Sequence, residues 1–200
     1  MKAVVRTIAT GLMTLGAMTP GFAAGKAQKN VTFEMVRNST LPPACIPKAS
    51  ATVTIVPGGP TETMTVKVSG LPPNTDFDLF VIQVPNAKFG MSWYMGDIQT
   101  NSHGQGHGTF IGRFSVETFV VAPGSVPAFV EFPDDANTNP PTSPLQMYHL
   151  GLWFDNPNDA GKAGCPTATT PFNGEHNAGV QALNTSNIST GPDGPLLQVK

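Results

Sequence analysis

Between its prolines and glycines the chain alternates apolar and polar residues with a period of two, as half-buried strands do. The clearest pair covers 51–56 and 63–68. In the second, Met64, Val66 and Val68 face one way while Thr63, Thr65 and Lys67 face the other. Pro57-Gly58-Gly59-Pro60 lies between them, so a hairpin is predicted. Residues 76–84 follow, apolar on both faces around Leu79-Phe80-Val81-Ile82, as suits a central strand. Further strands are predicted at 92–99, 108–116, 128–132 and 146–154, with weaker signals at 180–183 and 196–199. The 20 prolines and 21 glycines leave few windows long enough for a helix. About eight or nine short strands separated by turns predict an all-β sandwich, with a barrel as the alternative. Residues 134–144 and 155–172 then read as long surface loops.

One stretch carries a resemblance. Val66-Lys67-Val68-Ser69-Gly70-Leu71-Pro72-Pro73-Asn74-Thr75-Asp76-Phe77-Asp78-Leu79 resembles the strand–corner–strand of fibronectin type III and related immunoglobulin-like domains. There a Leu-Pro-x-Thr-x-aromatic run turns the chain between two sheets. The resemblance covers Leu71 to Phe77 and its flanking strands, and it implies an immunoglobulin-like β-sandwich. Two departures limit it. Phe77 stands where that family places a tyrosine, so the hydroxyl of a tyrosine corner has no counterpart. The corner also falls early in the chain, so strand order does not carry over. Such folds host many functions, and none is implied.

The first residues read differently. Lys2 and Arg6 precede an uncharged, largely apolar run, and small residues surround Gly21-Phe22-Ala23-Ala24. This is the pattern of a secretory signal peptide over 1–23, with cleavage expected after Ala23. A segment at 24–50 would follow, tied by Cys45, and then a β-domain over 51–200. Cys45 and Cys165 are the 2 cysteines; they form no C-x-x-C unit and suit one structural disulfide in an oxidising compartment. That disulfide would pin the loop at 155–172 to the N-terminal segment. Export to the periplasm or the medium is therefore expected, with no integral membrane segment in the mature chain. Charged residues make up only 12% of the chain and the net charge is −2, which argues against nucleic acid as a partner.

Candidate chemistry is sparse. His103 and His107 stand four positions apart in Asn101-Ser102-His103-Gly104-Gln105-Gly106-His107-Gly108, with Asp97 upstream. Two imidazoles at that spacing are candidate copper or zinc ligands, completed by His149, His176, Glu175 or a methionine. The plainer account is a glycine-rich connection between two strands. Trp93-Tyr94 and Trp153-Phe154 are adjacent aromatic pairs within strands, so the members of each pair point to opposite faces. Trp93, Tyr94, His149 and Trp153 are the candidate ligand-binding residues. Trp153 is either an exposed platform for a sugar ring or partner, or is packed under the loop that follows it. Glu175-His176 reads as a turn before it reads as an acid–base pair. The acids of the presumed loops, Asp134, Asp135, Asp155 and Asp159, read as solvated side chains before calcium ligands. No linear catalytic motif is present, and no catalytic residue is assigned.

The leading expectation is an exported, non-catalytic module with a structural, adhesive or ligand-binding role, whose partner is a protein or glycan at the cell envelope. A copper- or zinc-binding protein centred on His103 and His107 is the first alternative. The second is a carbohydrate-active or carbohydrate-binding protein, which requires a concave aromatic cleft with paired carboxylates.

Overall fold

The computed structural model describes residues 29–83, 91–115, 117–121, 144–188 and 194–200. The expected signal segment (1–23) and the predicted strand at 128–132 lie outside the described residues. The described chain forms strands β1 (Val31–Arg37), β2 (Ser50–Pro57), β3 (Glu62–Ser69), β4 (Asp76–Ile82) and β5 (Ser92–Gln99). These are followed by β6 (Gly106–Gly112), β7 (Phe119–Val121), β8 (Pro144–Gln146), β9 (His149–Phe154) and β10 (Gln181–Asn184). A short helix, α1 (Pro157–Lys162), follows β9, and a 3-10 turn (Pro195–Gln198) lies near the C-terminal end.

Eight strands make one antiparallel sheet in the order β5-β4-β9-β10-β1-β2-β3-β6, and β7 and β8 form a separate two-stranded ladder. The edge strands β5 and β6 are consecutive in the chain and meet at the Thr100↔Gly106 bridge. The sheet therefore coils nearly into a barrel, the second of the two all-β forms expected. Period-two alternation explains its interior. Ala51, Val53 and Ile55 of β2 and Met64, Val66 and Val68 of β3 are buried in the main core, as are Phe77, Leu79 and Val81 of β4. Leu150, Leu152 and Phe154 of β9 join them.

β4 and β9 are buried along nearly their whole length, on both faces. Their outward residues Phe80, Ile82 and Trp153 make a second, smaller apolar cluster, roofed by Phe172 from the loop that follows α1. The disulfide Cys45–Cys165 fixes the start of that loop to the segment before β2, with the two Cα atoms 4.7 Å apart.

The corner at 70–75 forms as expected, with Gly70 (φ 68°) and Asn74 (φ 49°) in the left-handed region. The hydroxyl missing from Phe77 is supplied from another strand end. Thr100 Oγ1 donates to the Pro72 carbonyl (2.6 Å) and accepts the Thr75 N–H (2.9 Å).

Four sequence expectations change. The segment 31–37 is a full strand, its Val31, Phe33 and Met35 turned toward the core. The single strand predicted at 146–154 is broken between Gln146 and His149, giving β8 and β9. The loop at 155–172 contains α1, started by Asn156 Oδ1 accepting the Asp159 N–H (3.0 Å) with Pro157 in the first turn. Residues 196–199 are not a strand: Pro195 fixes a helical φ, and the buried Leu196 is held by its N–H to the Tyr148 carbonyl (3.2 Å).

Candidate functional site

The outer face of β5-β4-β9 carries an acid-lined cleft. It originates in one irregularity. Across β4 and β5 the register runs Leu79↔Gly96 and then Phe80↔Tyr94, so Met95 is an extra residue and the pair is bulged there. Gly96 (φ 137°) adopts a backbone that side chains rarely allow, and a Cβ on it would lie 3.1 Å from the Phe110 ring. The bulge shifts the parity of the strand. Tyr94 and Asp97, three apart, would otherwise face opposite sides; here Tyr94 Oη donates to Asp97 Oδ1 at 2.6 Å.

Asp78 on β4 lies directly opposite Asp97 on β5, and both carboxyls line the cleft. Two ionised carboxylates that face each other repel, so this placement favours keeping a proton on the pair. Asp78 is only 2% exposed. Burial is the main cause that raises its carboxyl from 3.8 to about 7, helped by the Asp155 charge and by Asp97. Asn173 acts the other way, donating Nδ2 to Asp78 Oδ2 (3.2 Å). Burial, followed by the Asp97 hydrogen bond, likewise holds the Tyr94 hydroxyl above its ordinary range.

The far wall is the loop 170–179. Its ends are pinched by the Thr170↔Ala178 bridge. Asn173 organises the interior, its Oδ1 accepting the N–H groups of Asn177 (2.8 Å) and Ala178 (3.1 Å) and its Nδ2 also reaching the Asp155 carbonyl (3.1 Å). Phe172 packs edge-on to Trp153 (ring centroids 5.1 Å) and to Phe80 (4.7 Å). The resulting cavity of about 440 Å³ is lined by Asp78, Tyr94, Asp97, Asp155, Phe172, Asn173, Gly174 and Glu175.

Of the four aromatic and imidazole candidates, Tyr94 lines this cleft. Trp93 points the other way and stacks on Phe114 (6.4 Å). His149 is buried, with Nδ1 3.0 Å from Thr185 Oγ1. The exposed-platform reading of Trp153 is corrected, because Phe172 covers the ring and leaves it 4% exposed. His103 is exposed in the β5–β6 connection, and His107 is exposed on β6 opposite Lys67. Among the described residues no three His, Cys, Asp or Glu side chains are grouped to hold a metal ion, so the copper or zinc reading gains nothing from this geometry.

The sequence alone does not single out Asp78 or Phe172, and it marks Asn173 only as the start of the turn-like stretch Asn173–Gly179. Two signals pointed toward the site: an acid inside the apolar run Phe77–Ile82, and a glycine that interrupts the alternation of Trp93–Ile98. No protein-family model matches the chain, and no curated protein matches it significantly. Among the described residues no helix is long and apolar enough to cross a membrane.

Proposed function

We propose that the protein is an exported, non-catalytic ligand-binding module, and that the cleft on β5-β4-β9 takes a small organic cation. One observation carries the reading: the cleft is lined by four carboxyl residues, an asparagine and two aromatic rings, with no basic side chain among the lining residues. Carboxylates in a low-dielectric concavity focus a negative potential, and Tyr94 and Phe172 offer ring faces to a desolvated cation. Its volume suits a ligand of modest size. Export is supported by the disulfide and by the N-terminal pattern of the sequence.

Glycoside hydrolysis fits the dyad poorly. Asp78 and Asp97 are directly opposite neighbours on adjacent strands, so they sit on one wall of the cleft rather than on the two sides of a scissile bond. Carbohydrate binding without hydrolysis is the second reading, favoured by the two rings beside hydrogen-bonding carboxyls.

Calorimetric titration at low and high salt with putrescine, tetramethylammonium and maltose distinguishes the readings. Cation binding is expected to weaken with salt and to fall about tenfold or more in Asp97→Asn, as loss of a charge-assisted contact implies. Maltose binding with neither cation bound would replace this reading with the carbohydrate one. Binding of none of the three would remove the support for both.

A further inference from the structure

We propose that the 170–179 loop is a proton-controlled latch at the far wall of the cleft: it is docked through Asn173 while Asp78, which faces Asp97 across the ladder, keeps its proton, and loss of that proton to solvent releases it. The geometry supplies both parts of such a device. The fixed part is strand: Asp78 on β4 and Asp97 on β5 face each other across the ladder. The movable part is a loop fixed at its base, where Gly179 N–H donates to the Phe154 carbonyl (2.7 Å) and Thr170 bridges Ala178, and held to the strands beyond that base by one side chain and one ring. Asn173 Nδ2 bonds Asp78 and the Asp155 carbonyl, and Phe172 rests on Phe80 and Trp153.

The direction of the response follows from linkage. The groups around Asp78 are all acids or neutral. Asp97 and Tyr94 face it from β5, Asp155 from the end of β9 and Glu175 from the loop, with Asp76 two residues away on its own strand. No lining side chain offers a compensating positive charge. Docking keeps the Asp78 carboxyl from water, and burial is the largest cause of its raised proton affinity. Lifting the loop restores solvent, so ionised Asp78 prefers the open form, and ionisation must shift the population toward it. The Asn173 bond to the ionised carboxylate opposes this but is the smaller effect. The latch deepens the cleft's role as a binding site, and rests on that reading, by making the presence of its far wall depend on pH. It is measured without ligand, so its failure and the failure of the binding reading are separate results.

Trp153 reports the latch, because Phe172 covers it only when the loop is docked. The chain has 2 tryptophans, so a Trp93→Phe background isolates the signal. Emission is expected to move to longer wavelength as pH rises through about 7, together with faster amide exchange at Asn177 and Ala178. Asp78→Asn should stay docked, with no transition. Asp97→Asn should move the midpoint to lower pH, and Asn173→Ala should look open at every pH. His176→Gln, which removes the imidazole on the same loop, should keep the transition. A flat wild-type profile, a transition that persists in Asp78→Asn, or its loss in His176→Gln would overturn the latch.

Discussion

Replacing Asp78 with asparagine should make the protein more stable at alkaline pH while leaving it nearly unchanged in acid. The substitution keeps the shape of the side chain, an oxygen for Asn173 and a donor for Asp97, and removes only the ability to ionise. In the wild type the folded state holds the Asp78 proton up to about pH 7, whereas the unfolded chain releases it near 3.8. Between those values the folded state binds more protons, so stability falls as pH rises through the window and the loss is complete above it. At about 1.36 kcal/mol per tenfold difference in proton affinity, the span corresponds to roughly 4 kcal/mol. That figure is a ceiling: once the loop lifts, Asp78 ionises in water, and the loss stops at the cost of opening. Urea unfolding of wild type and Asp78→Asn at several pH values, compared as a difference, isolates this group from every other titration. The difference should grow from near zero in acid to a few kcal/mol in alkali. Parallel stability curves would refute the assignment of the proton to Asp78.

Two further perturbations test the frame. Replacing Cys45 and Cys165 together by serine removes a bridge between residues 120 apart, and should cost about 4–5 kcal/mol in the chain-entropy account, read as a lower denaturation midpoint. Thr100→Val, which deletes the hydroxyl between the Pro72 carbonyl and the Thr75 N–H, should cost about 1–3 kcal/mol in thermal unfolding because both groups lose a partner. An unchanged midpoint would show that Thr100 does not pin the corner.

The alternation of apolar and polar residues is enough to place β2 and β3 closely, because each presents one face to the core and one outward; β5 is also placed closely, although a bulge interrupts its alternation. The pattern is also enough to mark β4 as covered on both sides. The cysteine count led to the disulfide for a similarly local reason, since two thiols leave a single pairing. The cleft was much less legible. Its residues come from β4, β5, the end of β9 and the 170–179 loop, and nothing in the linear order brings Asp78 beside Asn173. The parity break at Met95–Gly96 was present in the sequence, yet its effect on where Asp97 points depends on the register with β4. Trp153 could be read as exposed because its cover, Phe172, lies 19 positions later, beyond a helix. β1 fell in a segment read only as an N-terminal tether; its partner β10 lies at the far end of the chain.

That last pairing bears on how the chain reaches its final shape. In the order β5-β4-β9-β10-β1-β2-β3-β6, the ribbon formed by β9 and β10 fills the gap between β4 and β1. A chain emerging from its N-terminal end can pair β1 through β6 early, yet it then carries two open strand edges, one on β4 and one on β1. Each is a template for pairing with a stranger. Residues 149–184 supply both missing neighbours at once, and they come late in synthesis. The interval before they arrive is the window in which a growing chain most needs to be kept apart from its copies. The same ribbon, added from outside, is the natural complement for a chain that stops short of it.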